Sequence, residues 1–370
     1  MTEPEKCDLV LEGGGVKGIG LVGAVSVLEE AGYSVQRVAG TSAGAIVGAL
    51  VAAGTPAARL AEIMAGLDWR RFQDRTLVDR IPVIGQALSL AFDKGLYEGR
   101  YLHQWLTEQL AERGVRTFGD LEITQEQDPG SALPPQKRYR LAVIVSDVTC
   151  GLMRTFPADY DRYGLAAGDV PVADAARASA SIPFFFEPVT LDDVQARRKV
   201  LLVDGGMLSN FPVEVFDRRD GRPPRWPTFG IKLSAQGPAT PPGCEVRGPA
   251  SLGLALLKTL IGHTDRAHLN DPDVVERTIF VDTDGVQATD FDLDRATADL
   301  LYQNGRTAAR KFLDTWDWDA YLARRSARLD GGPAIPQPAS APGTPEPRPA
   351  ADGTADPVTG LRHGETPQRG

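Results

Sequence analysis

Short apolar runs alternate with helix-spaced amphipathic stretches along most of the chain. Residues 8–12 form an apolar run that breaks into Gly13-Gly14-Gly15-Val16-Lys17-Gly18, and residues 19–31 then carry a helical period that Gly32 closes. Residues 35–39 predict a second strand, which enters Gly40-Thr41-Ser42-Ala43-Gly44 and leaves as an Ala-rich helix reaching Gly54. A right-handed β-loop-α-β crossover sets such strands parallel, bringing the glycine loop and the Ser42 corner to the same carboxyl edge of a sheet.

Residues 60–98 are less regular: a polar-aromatic segment at 68–72 precedes the apolar residues 81–92, which read as a short amphipathic helix or lid. Residues 101–113 have helical spacing, 125–137 form a Pro/Gly loop, and 139–147 are a nearly continuous apolar run, as in a strand covered on both faces. A helix at 174–180 is broken by Pro183 and Pro188, and a further buried strand at 199–203 ends in Asp204-Gly205-Gly206. Strands at 228–233 and 278–281 and helices at 251–269 and 295–316 complete the pattern. The alternation predicts an α/β fold, three layers α/β/α around a mostly parallel central sheet. After residue 329 Pro, Gly, Ala and Thr dominate with no apolar period to bury, so one domain is expected over 1–329 and a disordered tail over 330–370.

Charge and composition change the picture mainly by exclusion. The 370 residues carry a net charge of −9, which lacks the overall basic footprint of a nucleic-acid partner, although local basic patches stay open. Cys7, Cys150 and Cys244 are odd in number and far apart, giving neither a disulfide framework nor a metal-ligand spacing. No metal and no cofactor are expected. The N-terminal residues lack the basic patch and apolar run of a secretory signal, and no apolar run approaches the roughly 20 residues that span a bilayer. A cytoplasmic protein is expected, in at most transient contact with a membrane surface.

The candidate chemistry starts at Ser42. A strand-to-helix corner flanked by Gly40 and Gly44 is crowded enough to need small neighbours, and it pushes the central hydroxyl out as a nucleophile. The glycine loop at 13–18 fits G-x-G-x-x-G, but a dinucleotide site fails for want of a carboxylate after the second strand, and a P-loop fails for want of G-K-[ST]. What remains is a set of backbone N–H groups at a helix start, suited to an oxyanion; close helix–sheet packing is the plainer alternative. His263 and His268 fall within a predicted helix, His363 in the tail, and His103 on a solvated helix face, so none is favoured as a base. Asp204 and, second, Asp147 are strand-end carboxylates, and from spacing alone Asp204-Gly205 reads equally as a tight hairpin turn.

Taken in order, the glycine loop, Gly40-Thr41-Ser42-Ala43-Gly44, Ala180-Ser181-Ile182-Pro183-Phe184-Phe185 and Asp204-Gly205-Gly206 resemble the patatin-like phospholipase family, and 94–99 is similar to a further family feature. The resemblance covers roughly residues 8–316. It implies a patatin-like fold and a Ser-Asp dyad: Ser42 as nucleophile, Asp204 as its partner, and Gly13, Gly14, Gly15, Val16, Lys17 and Gly18 as the oxyanion hole, with Gly40, Gly44, Gly205 and Gly206 in support. The implied activity is release of fatty acid from phospholipid or lysophospholipid esters. The apolar segments 81–92 and 184–186 are candidates to line an acyl channel or touch a membrane interface, with core packing the alternative for both. The rival functions are a catalytically silent lipid- or anion-binding scaffold and an acyltransferase.

Overall fold

The computed structural model describes residues 5–67, 71, 97–131, 133–234 and 271–331, with single positions 246, 248, 252, 253, 255, 256 and 259. The predicted segments 68–72, 81–92 and 251–269, His263, His268, His363, Cys244 and the tail beyond 331 lie wholly or largely outside these residues. The chain divides into a unit Met1–Arg325 and a unit Ser326–Gly370; the fold below belongs to the first, and of the second the described part is the end of the last helix.

Among the described residues eight strands form one sheet: β1 (Glu5–Leu11), β2 (Tyr33–Thr41), β3 (Leu141–Asp147), β4 (Leu152–Phe156), β5 (Val189–Asp193), β6 (Arg198–Asp204), β7 (Thr228–Lys232) and β8 (Thr278–Phe280). The described helices are α1 (Ile19–Glu30), α2 (Ala43–Ala52), α3 (Ala57–Ala65), α4 (Arg100–Ala111), α5 (Val172–Ser179), α6 (Pro272–Glu276), α7 (Arg295–Leu313) and α8 (Trp318–Gly331). Sheet order is β5-β6-β3-β2-β1-β7-β8, with β4 also on β3. From β3 to β8 neighbouring strands are parallel, and β4, β5 and β6 extend the sheet antiparallel. The mostly parallel α/β sheet flanked by helices is as expected.

The apolar runs of β1 and β3 are explained by cover on both faces. Cys7, Leu9 and Leu11 point into the large core beneath the helices, while Val10, Ala39 and Ala142 meet Phe211, Val213 and Val274 on the other side. α1 and α7 pack closely: a side chain on Gly23 would strike the Tyr302 carbonyl at 2.0 Å, and one on Gly305 the Gly20 carbonyl at 2.0 Å.

Three differences from the sequence-based expectation stand out. The predicted helix at 295–316 ends at Leu313, and a further helix that was not foreseen, α8, starts at Trp318, where the Asp317 carboxylate accepts from the Ala320 N–H. β4 and β5 were not foreseen, being short and only half-buried. β6 runs antiparallel to β3 and is not uniformly buried: Leu201 is exposed between buried Val200 and Leu202.

Candidate active site

Ser42 sits where β2 ends and α2 begins, with φ 52° and ψ −122°, a conformation that costs a non-glycine residue about 1–3 kcal/mol. The fold leaves no slack at this corner. A side chain on Gly40 would meet the Gly44 carbonyl at 2.2 Å, and one on Gly44 would meet the Leu11 carbonyl at 2.2 Å. The corner is tied down by Ser179 from α5, whose hydroxyl accepts from the Ser42 N–H (2.8 Å) and donates to the Ile144 carbonyl (2.6 Å). Thr41 adds a bond from its hydroxyl to the Ser209 carbonyl (3.2 Å).

Asp204 reaches Ser42 by a route that sequence spacing does not reveal. β2 pairs with β3 as far as Thr41 opposite Ile144, and β6 takes over the same side of β3 with Asp204 opposite Val145. β4 occupies the other side of β3 through both stretches. The carboxyl ends of β2 and β6 therefore meet head to head along β3, one residue apart in register. The meeting is tight: a side chain on Gly205 would fall 2.3 Å from the Ile144 carbonyl and 3.0 Å from Thr41.

The Asp204 carboxylate is buried, and burial pushes its pKa up to about 6 against the nearby Ser42 hydroxyl and the Gly206 N–H that donates to it (2.7 Å), both of which favour its charge. Asp147, the second candidate, belongs elsewhere: it accepts from the Tyr163 hydroxyl (2.8 Å) and the Cys150 N–H (3.0 Å) and lies near Arg154. His103 is bonded through Nε2 to Asp174 (2.6 Å) at the surface. Among the described residues no group of three His, Cys, Asp or Glu side chains is arranged to hold a metal ion.

The glycine loop lies against Ser42, since a side chain on Gly13 would come within 3.1 Å of the serine Cβ and one on Gly18 equally close to Ala43. Its N–H groups are not equivalent. Gly13 donates to the Asn210 carbonyl (3.2 Å), Val16 to the Ala288 carbonyl (3.1 Å) and Lys17 back to Gly14 (3.2 Å). The N–H groups of Gly14 and Gly15 have no acceptor among the described residues. Gly15 has φ +56° and would drive a side chain into the Ala288 carbonyl at 1.9 Å, so only glycine presents its N–H there. Val16 is buried in the core, and burial lowers the pKa of Lys17 against the pull of Glu12.

Several contributing residues escaped the sequence reading. Asn210 donates from Nδ2 to the Gly13 carbonyl (3.1 Å) and toward Glu12 (3.4 Å), and Glu12 also accepts from Lys232 and from the Leu233 N–H, all buried. The run Ser209-Asn210-Phe211-Pro212 directly after Asp204-Gly205-Gly206 was the available signal. Ala43 is the first residue of α2, and the leading N–H groups of a helix lack intrahelical acceptors. Arg177 binds the carbonyls of Glu98 (2.6 Å) and Glu187 (3.0 Å), joining the described end of segment 94–99 to the segment after Ser181.

An apolar cleft of about 50 Å³ opens on Ser42, Gly15 and Ala43 and is walled by Met64, Trp105, Phe186 and Phe291 among others. Of the three phenylalanines 184–186, Phe186 is buried and lines this cleft, and Phe185 packs against the core. No described helix is long and apolar enough to cross a membrane.

Comparison with known proteins gives a model of the patatin-like phospholipase family matching residues 9–217. The chain is 36% identical over 311 residues to the uncharacterized protein YqhO of Bacillus subtilis (strain 168), covering 84% of this chain and 99% of that protein. It is 35% identical over 122 residues to lysophospholipase nte1 of Aspergillus oryzae, covering 31% of this chain and 6% of that protein. Among solved structures it is similar to VipD from Legionella pneumophila (TM-score 0.49, 16% identity, 85% of this chain and 67% of that one). It is also similar to a chain of the ExoU-SpcU complex of Pseudomonas aeruginosa (TM-score 0.46, 20% identity, 87% and 52%). The chain belongs to the patatin-like phospholipase family, a family of lipid hydrolases.

Proposed function

We propose that the protein is a serine acyl hydrolase that releases fatty acid from phospholipid or lysophospholipid esters, with Ser42 as nucleophile and Asp204 as its base. The observation that carries this reading is a buried Asp204 carboxylate, its pKa at about 6, beside the Ser42 hydroxyl where the carboxyl ends of β2 and β6 meet. A free aspartate, near 3.9, is too weak a base to accept a serine proton efficiently near neutrality. Burial brings Asp204 close to a working value without a histidine.

In the proposed cycle the Ser42 oxygen attacks the ester carbonyl carbon as Asp204 takes its proton. The oxyanion of the tetrahedral intermediate accepts from the N–H groups of Gly14 and Gly15, with Ala43 at the start of α2, and these donors need no reorganisation at the moment of reaction. Asp204 returns the proton to the leaving alcohol. Water, deprotonated by Asp204, then attacks the acyl-serine ester, and Asp204 passes that proton to the departing Ser42 oxygen as the fatty acid is freed. The apolar cleft supports a fatty acyl chain. At about 50 Å³ it is smaller than typical ligand sites of roughly 300–1,000 Å³, so wall side chains such as Met64 and Trp105 are expected to turn aside when the chain enters. Substrate presented at a membrane surface fits the same reading.

The test is free fatty acid release from mixed phospholipid and lysophospholipid vesicles by wild type, Ser42→Ala and Asp204→Ala. Both variants are expected to lose at least about 10³-fold in turnover while keeping the wild-type circular dichroism spectrum. Equal release by wild type and Ser42→Ala removes the nucleophile assignment.

A further inference from the structure

The opposite edge of the sheet holds a second and larger cleft, of about 420 Å³, which the proposed hydrolysis does not use. Its floor is the level at which β3 and β7 begin beside β2 and β1: Asp8 pairs in register with Arg37 and Thr228, and the Val38 N–H donates to the Arg140 carbonyl. One wall comes from residues 123–140 and the other from 215–228. Arg225 clamps the two walls together, donating to both carboxylate oxygens of Asp128 at 2.9 and 2.8 Å.

The lining carries eight cationic side chains against four acidic ones, in a chain whose net charge is −9. Each of the four acids is already matched. Arg37 holds the buried Asp8, Arg225 holds Asp128, Arg218 holds Asp220, and Arg277 holds Asp217. Among the described residues the lining cations Lys6, Lys137, Arg138, Arg140 and Arg219 have no acidic partner; Lys6 lies over the Trp226 ring at 5.8 Å and Arg138 donates to the Leu133 carbonyl. Charges spread over a convex face are solvated and need no ligand. These instead line one concavity of a size typical for small ligands, roughly 300–1,000 Å³. A monocarboxylate would satisfy one guanidinium. An unmatched set drawn from β1, the segment before β3 and the 215–228 wall suits an anion with several charges and several acceptor oxygens, and forked guanidinium groups match phosphate oxygens best.

We propose that this amino-edge cleft binds a multiply charged phosphate compound, a soluble phosphate ester or polyphosphate. The strands of the sheet separate it from Ser42, so its occupant is not the ester being cleaved. A membrane facing the Ser42 cleft lies on the other side of the molecule, which favours a soluble source over a lipid headgroup.

The test is isothermal titration of the full chain with sodium pyrophosphate at about 0.15 M salt, where long-range attraction is screened within roughly 8 Å. Saturable binding by wild type is expected, weakened at least about tenfold in Lys137→Ala/Arg140→Ala on one wall and in Arg219→Ala on the other. Both variants are expected to keep the wild-type melting temperature without ligand and the wild-type fatty acid release, which separates this result from any failure of the Ser42 assignment. Cosedimentation with phosphatidylglycerol vesicles, against phosphatidylcholine vesicles, is the second arm. Capture by the anionic vesicles that the variants lose, without pyrophosphate binding, would overturn the soluble source and assign the cleft to a lipid phosphate. Absence of binding in both arms, or equal binding by wild type and both variants, overturns the site.

Discussion

At Asp204 the demands of stability and of the proposed chemistry have opposite signs. Burial raises its pKa from 3.8 to about 6, so the folded state holds this proton more tightly than the unfolded chain does. The stabilisation from that proton is complete below the unfolded value and is lost as pH rises through about 6, whereas a base must be ionised. Two outcomes follow. Hydrolysis is expected to fall below about pH 6 with unit slope in a pH–rate profile of kcat/KM. Asp204→Asn removes the buried charge and is expected to be inactive yet more stable at pH 7.5, by up to about 3 kcal/mol in denaturant unfolding, with the gain shrinking toward zero near pH 4. A gain of the same size at both pH values would assign the effect to packing instead. Ser42 was legible in the sequence because the steric demands of its corner are local and are written in Gly40 and Gly44. Asp204, its proposed base, was named only by the family resemblance, since from spacing alone whether Asp204-Gly205 is a hairpin turn or a site depends on a distant strand. Nor does the glycine motif reveal which N–H groups are free: Asn210 and Ala288 engage those of Gly13 and Val16 from far along the chain.

The elements that make the site are ordinary; their junction is not. β2 and β6 share one side of β3 and stop against each other, so the strand ends themselves bring serine and aspartate together. The sequence reading had most of the parallel strands because continuous apolar runs mark strands covered on both faces. It missed β4 and β5 and the direction of β6, because short half-buried strands carry a weak period and apolar content does not encode direction. Gly205 is the residue on which the junction turns. Gly205→Ala places a methyl 2.3 Å from the Ile144 carbonyl, and β6 must shift to accommodate it. The expected result is a loss of about 1–3 kcal/mol in stability together with a drop of at least about tenfold in fatty acid release, because Asp204 moves with its strand. Full activity in a destabilised Gly205→Ala would mean that the dyad does not depend on this abutment.

On the scale of the whole molecule, the parallel sheet polarises the protein. Loops at the carboxyl ends of β1 and β2 hold the apolar Ser42 cleft, and the segments entering the amino ends of β3 and β7 hold the basic cleft. Neither is visible in the net charge of −9, which averages over both edges. The described core ends with the helices that cover the sheet: Phe312 and Trp316 pack on Phe229 of β7 at 5.3 and 5.0 Å, and Tyr321 of α8 stacks beside Trp318. Residues 332–370 contain no aromatic residue and no apolar period, so they have little to add to such a core. We therefore expect truncation after Gly331 to leave the melting temperature within about 1–2 °C of the full chain, a shift worth roughly 1 kcal/mol for a domain of this size. Fatty acid release from vesicles is expected to be unchanged as well. A fall of many degrees would show that the tail packs on the domain, and lost activity at an unchanged melting temperature would assign it a part in meeting the substrate.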